Sequence, residues 1–182
     1  RRVLLTTPGL KQTGIDAVIL DRDTLTNTTP DGSMTLVAYL QAQGIIPGLK
    51  TDEGLEDDPA YPDEKGVKRP KDRELTKLPA LLARATELGL GFTKYRTTIR
   101  ANDPPEANMR DNAKVQAQQA KLAQEVGLVP MVEPEVVFDG SDGSPATHGL
   151  AASYVTTTHV LETTFEELQN AGVWLPGVVL KT

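Results

Sequence analysis

The sequence contains no cysteine, which excludes disulfide frameworks, thiolate zinc sites and thiol nucleophiles. Two histidines, His148 and His159, are the whole supply of imidazole, and their spacing matches no zinc pattern. No thiolate or imidazole metal site is therefore expected. Aromatic residues are scarce, at 4% of 182. No stretch approaches the roughly 18 to 20 consecutive apolar residues of a membrane helix, so no membrane span is expected. Positive charge is the minority sign, with 19 Lys and Arg against 25 Asp and Glu for a net charge of −6. That balance argues against a nucleic-acid binder, which shows a basic stripe. The one basic-looking run, Lys65 to Arg73, is interleaved with acidic residues and reads as a solvated loop. A chain without cysteine also fits a cytoplasmic protein.

What is present is ordinary for a globular domain: 38% hydrophobic and 24% charged residues, in a chain long enough to bury one core. Apolar periodicity gives alternating strands and helices. Ala17–Leu20, Ile45–Lys50, Gly91–Arg96, Leu128–Val137 and Val173–Lys181 read as strands, the fourth interrupted by Pro134. Helical patterns lie between them. Met34, Val37, Ala38 and Leu40 stop at Gly44. Leu78, Leu81, Leu82, Ala85 and Leu88 follow an N-cap at Thr76 and stop at Gly89. Met109, Ala113, Ala117, Ala120 and Ala123 stop at Gly127, and Leu150, Tyr154, Leu161, Phe165 and Leu168 at Gly172. From Asp52 to about Lys71 the chain reads as a long polar loop.

Five strands with helical crossovers predict an α/β fold with a parallel sheet. An open doubly wound sheet and a TIM (β/α)8 barrel both fit. No glycine-rich phosphate fingerprint follows the first strand, and charged residues recur at strand carboxyl ends; both features favour the barrel. Eight units make a barrel and about five are present, so residues 1–182 are expected to form a single incomplete barrel domain, a piece of a larger protein.

Lys50, Lys94, Glu133 and Lys181 each stand at or near the end of a predicted strand, with Asp52, Arg96 and Glu135 close by. In a parallel barrel these would face one mouth. Such a set suits amine chemistry. A lysine attacks a ketone only when neutral, and at an ordinary pKa of about 10.4 well under a thousandth is neutral at pH 7. Burial and a second cation lower that value, and Lys94 is the candidate second cation for Lys181. A carboxyl such as Glu133 can give and take the protons of carbinolamine formation and dehydration. Lys50 and Arg96 offer positive charge to an anionic substrate group.

The same residues carry a resemblance. Gly48-Leu49-Lys50-Thr51-Asp52-Glu53-Gly54, Phe92-Thr93-Lys94-Tyr95-Arg96, Val129-Pro130-Met131-Val132-Glu133-Pro134-Glu135 and Leu175-Pro176-Gly177-Val178-Val179-Leu180-Lys181 resemble successive motifs of class I fructose-bisphosphate aldolases. Weaker similarity runs from Leu4-Leu5-Thr6-Thr7 through Val18 to Leu25. The resemblance implies a glycolytic lyase that needs no metal and no cofactor and cleaves fructose 1,6-bisphosphate to dihydroxyacetone phosphate and glyceraldehyde 3-phosphate. It implies that Lys181 forms the Schiff base, Glu133 is its general acid/base and Lys94 assists proton transfer. Lys50 then binds substrate phosphate, while Arg96, Glu135 and Asp52 contribute to the substrate site. A phosphorylated sugar is the implied partner, and the full-length family is commonly homo-oligomeric.

Some positions depart from the family. Glu53 stands where a second lysine is common, and Tyr95 where tryptophan is. The family's catalytic aspartate on its first strand, and the serine and arginine phosphate contacts on its last two, have no counterpart in this sequence. Two other readings follow: a truncated or degenerate non-catalytic copy, and a metal-dependent barrel lyase with Glu133, Glu135 and Asp139 as oxygen ligands.

Overall fold

Successive parallel strands lie side by side in chain order, and the connections between them run over one face of the sheet. This is seen in a computed structural model that describes residues 2–138, 140 and 149–182. The elements are α1 (Arg2–Leu5), β1 (Ala17–Leu20), α2 (Leu36–Ala42), β2 (Ile46–Lys50), β3 (Leu55–Asp57), β4 (Lys68–Pro70), α3 (Leu78–Glu87), β5 (Phe92–Arg100), α4 (Glu106–Glu125), β6 (Val129–Val137), α5 (Leu150–Asn170) and β7 (Val179–Leu180). The five-stranded sheet has the order β1-β2-β5-β6-β7, every pair parallel.

One turn chemistry recurs at the ends of α2, α3, α4 and α5. Gly44, Gly89, Gly127 and Gly172 all take positive φ, between 65° and 79°. The residue after each glycine then donates its N–H back to the helix: Ile45 to Leu40, Leu90 to Ala85, Leu128 to Ala123 and Val173 to Leu168. This six-to-one bond satisfies a helix-end carbonyl and buries the apolar residue that follows the glycine. The glycines predicted to stop the helices therefore also aim each new strand.

Alternation along the strands settles which face holds the core. Leu20, Leu49, Tyr95 and Val132 point to the helices. The first three share a cluster with Leu36 and Leu40 of α2, Leu78 and Leu82 of α3, and Val115 of α4. Val132 packs with Ala117, Ala120 and Leu168. Helices on a single face exclude the doubly wound arrangement and match one wall of a (β/α) barrel. Lys50, Lys94, Arg96, Glu133 and Glu135 occupy the alternate positions, on the opposite face. On that face Gly48 lies across from Phe92, and a Cβ at Gly48 would stand 2.3 Å from the ring.

Several expected boundaries and faces differ. β5 runs on to Arg100, and β6 passes through Pro134 without a break. Lys181 N–H bonds the Val132 carbonyl, so even-numbered β6 residues aim their backbone groups toward β7. The missing N–H of Pro134 thus removes no bond to β5. The last strand shrinks to Val179–Leu180 because Leu175–Gly177 forms a 3-10 turn, with Trp174 tied by both backbone groups to the Gln124 side chain. Thr76 does not cap α3; instead the Asp72 carboxylate accepts from the N–H groups of Thr76 and Lys77. Leu150 and Tyr154 of α5 are exposed, and the buried stripe is Thr156, Val160, Thr163, Thr164, Glu167 and Leu168. At about 100° per residue, that face lies roughly a quarter turn from the expected one.

The polar loop after Asp52 also has structure. β3 and β4 pair antiparallel, and Asn108 and Asn112 of α4 donate to the Lys68 carbonyl. Asn108 donates further to the buried carboxylate of Asp58. The hairpin is thereby fastened to the helix layer.

Candidate active site

Lys50 ends β2, whereas Lys94 and Glu133 sit inside longer strands, and Lys181 directly follows β7. Strand register brings the four together across the helix-free face, and with Asp52 they form a five-membered chain of alternating charge. Lys50 Nζ lies 2.6 Å from Asp52 Oδ1, and Lys94 Nζ lies 3.4 Å from Asp52 Oδ2. Lys94 Nζ is also 2.5 Å from Glu133 Oε2, and Lys181 Nζ donates to Glu133 Oε1. Asp52, Glu133 and Lys94 are the buried members, with side chains 5%, 5% and 9% exposed, against 47% for Lys181.

Burial is the largest single influence on Glu133 and pushes its carboxyl up. The hydrogen bonds and charges of Lys181 and Lys94 together outweigh it, so the group titrates below its ordinary range. Glu133 also corrects one expectation, because it stands between the two lysines. The first neighbour of each amine is a carboxylate, with the other cation behind it.

Beside this chain, Arg96 Nε bonds Glu135 Oε2 at 2.5 Å, and that bond chiefly raises the already high Arg96 pKa. The Arg96 backbone N–H reaches Asp52 Oδ2 at 3.3 Å. All seven predicted site residues therefore belong to one connected network. Glu133 and Glu135 each face cations; Asp139, the third oxygen ligand of the metal reading, lies outside the described residues, as does His148.

Two clefts open on the network. One, of about 350 Å³, is lined by Glu133, Glu135, Phe138, Ser153, Thr157 and Lys181. The other, of about 320 Å³, is lined by Asp21, Arg22, Asp23, Lys50, Asp52 and Glu53. A larger hollow of about 680 Å³ lies away from the network, beside α4, where Arg69 pairs with Glu56 and Arg73 with Asp111. Chemically, the Lys181 end joins an accessible amine to a carboxylate already in contact with its nitrogen. A carbonyl compound in the first cleft would meet a nucleophile and a proton carrier together.

Arg22 was not among the predicted site residues. It sits in the 3-10 turn Arg22–Thr24 just after β1 and bonds Glu53, with its other nitrogen 2.8 Å from the Thr51 carbonyl. The signal was there: a charged run, Asp21-Arg22-Asp23, directly follows an apolar strand, at the end where barrel enzymes place their chemistry.

Comparison with known proteins points to one family. A family model described as fructose-bisphosphate aldolase class-I matches residues 1–182. A probable fructose-bisphosphate aldolase class 1 from Xanthomonas axonopodis pv. citri is 36% identical over 183 residues, covering 100% of this chain and 51% of the relative. Fructose-bisphosphate aldolase 5, cytosolic, of Arabidopsis thaliana is 34% identical, with 48% of its length covered. Among solved structures, the fructose-bisphosphate aldolase of Plasmodium falciparum superposes with a TM-score of 0.84 at 31% identity, over 98% of this chain and 49% of that one. That likeness supports the TIM barrel as the parent architecture. The chain spans about half the length of the curated relatives it matches.

Proposed function

Since the chain belongs to the class-I fructose-bisphosphate aldolase family, we propose that the whole protein is a Schiff-base lyase. It cleaves fructose 1,6-bisphosphate reversibly to dihydroxyacetone phosphate and glyceraldehyde 3-phosphate. Residues 1–182 supply the nucleophile and its proton carrier as one part of a single barrel domain. The observation that carries this reading is Glu133 held between the amines of Lys94 and Lys181.

The residues divide the work as follows. Lys181 gives a proton to Glu133 and attacks the C2 ketone, forming a carbinolamine. Glu133 returns the proton to the carbinolamine hydroxyl, which leaves as water, and the protonated imine remains. That imine accepts the electron pair when the C3–C4 bond breaks, the C4 hydroxyl passes its proton to the Glu133 carboxylate as it becomes the departing aldehyde, and an enamine stays on Lys181. Protonation of the enamine at C3 and hydrolysis then release the ketose half and restore the amine. Lys94 and Asp52 hold charge around Glu133, Lys50 and Arg96 attract the anionic sugar, and Glu135 orients Arg96. The Arabidopsis relative described as cytosolic supports a cytoplasmic location, and a homo-oligomeric whole protein is part of the same reading.

The test is reductive trapping. Borohydride added to the whole protein with dihydroxyacetone phosphate gives a stable adduct, and peptide mapping places it on Lys181. An adduct on Lys94 or Lys50, or none, overturns the assignment. Lys181→Arg keeps the charge on a side chain that stays protonated, and abolishes both adduct and turnover while the fold persists.

A further inference from the structure

Glu53 directly follows Asp52, and by charge alone a carboxylate there weakens the attraction of the site for an anionic sugar. The structure gives this carboxylate a different task. Arg22, from the turn after β1, donates one guanidinium nitrogen to Glu53 Oε1. Its other terminal nitrogen reaches the Thr51 carbonyl at 2.8 Å and the Asp52 carbonyl at 3.4 Å. Lys50 Nζ meets that same Asp52 carbonyl at 3.1 Å. On the far side, the Thr51 N–H and hydroxyl both donate to the Lys94 carbonyl, at 2.9 and 3.2 Å. Residues 51–53 are thus tied to β5 on one side and to the turn after β1 on the other.

We propose that Arg22 and Glu53 are a matched clamp that positions Asp52 and Lys50 in the site, so that the acid at 53 and the cation at 22 function only together. This deepens the aldolase reading and rests on it. Asp52 has little freedom to shift, since its buried carboxylate receives Lys50, Lys94 and the Arg96 N–H. Its orientation is set by the backbone on either side, and Arg22 binds a carbonyl on each of the two residues concerned. A planar guanidinium can hold a carboxylate and neighbouring carbonyls at once, whereas an ammonium is a single point charge. Lys77 also reaches Glu53, at 3.3 Å, but its side chain is 64% exposed and holds the acid weakly.

The clamp makes a prediction opposite to that of simple charge loss. Glu53→Lys would set a third cation beside Arg22 and Lys77, break the clamp and misplace Lys50. In the whole protein it raises KM for fructose 1,6-bisphosphate roughly tenfold, as does Arg22→Met, while kcat changes far less. Arg22→Lys falls between Arg22→Met and wild type. The double variant R22M/E53Q is no worse than either single one, because both substitutions remove the same device. A lower KM in E53K, or additive losses in the double variant, overturns the proposal. A lowered melting temperature with KM unmoved does so too, since it marks a purely structural pair. If R22M fails to fold, R22K and E53Q carry the same comparison. Borohydride trapping with dihydroxyacetone phosphate on the wild type keeps the two levels apart. Absence of the Lys181 adduct there defeats the aldolase reading; a normal adduct with unaltered KM in the variants defeats the clamp alone.

Discussion

Lys181 donates a hydrogen bond to Oε1 of Glu133 across neighbouring parallel strands, while Oε2 of the same carboxylate lies 2.5 Å from Lys94 Nζ. Both oxygens of one buried acid are thereby committed to amines from its two flanking strands. Glu133→Gln keeps the shape and removes the proton acceptor. Imine formation on Lys181 is expected to slow by about a hundredfold to ten-thousandfold, the usual range for general acid/base catalysis, while substrate binding changes little. Rapid-quench borohydride trapping in the whole protein measures it. If Glu135→Gln slows imine formation more than Glu133→Gln does, the two acids exchange roles.

The same carboxylate predicts an acid limb. Its folded-state pKa lies below the ordinary value because the two lysines outweigh burial. A group of that kind contributes stability that is fully present above its unfolded pKa, near 4.3, and is lost as pH falls through the folded value. The melting-temperature gap between wild type and Glu133→Gln is therefore constant from neutral pH down to about pH 5 and closes below it. A gap that widens on acidification contradicts the assignment.

The sequence made the βα order and the charged face legible because both rest on short-range rules. Apolar runs bounded by Gly44, Gly89, Gly127 and Gly172 define units, and alternation places Lys94, Arg96, Glu133 and Glu135 together. What stayed hidden depends on partners distant in the chain. The α5 face follows from contact with α4 and β6, which bury threonines such as Thr156 and Thr163 in preference to Leu150 and Tyr154. The β3–β4 hairpin is held by Asn108 and Asn112, some 40 residues away. Arg22 acquires its meaning only when β1 and β2 pair and bring it to Glu53.

Gly48 offers a test of packing on the open face. A Cβ there would lie 2.3–2.4 Å from three Phe92 ring atoms, and the ring must move. Overpacking of this sort costs about 1–3 kcal/mol. Gly48→Ala is expected to lower the urea midpoint of the whole protein accordingly, and Phe92→Leu in the same background to recover part of the loss. No change in midpoint would mean that the ring has another place to go.

The last expectation concerns residues 1–182 expressed alone. β1 and β7 each have one strand neighbour in the sheet, so each carries a row of backbone donors and acceptors without a strand partner there. Ile19, Ile46, Val129 and Val179, on the helix-free face, are 38%, 51%, 40% and 42% exposed. Apolar side chains between two open edges form a surface that associates in water. Lys181 follows one of those edge strands directly, so its contact with Glu133 depends on a two-residue strand. The isolated chain is expected to run as oligomers or aggregates in light scattering, to bind a hydrophobic dye, and to show no cleavage of fructose 1,6-bisphosphate. Ile46→Lys together with Val179→Lys should shift it toward smaller species, since charge on this face opposes self-association. A monomer with a sharp thermal transition, no dye binding and normal turnover would show that this sheet is stable and complete as it stands.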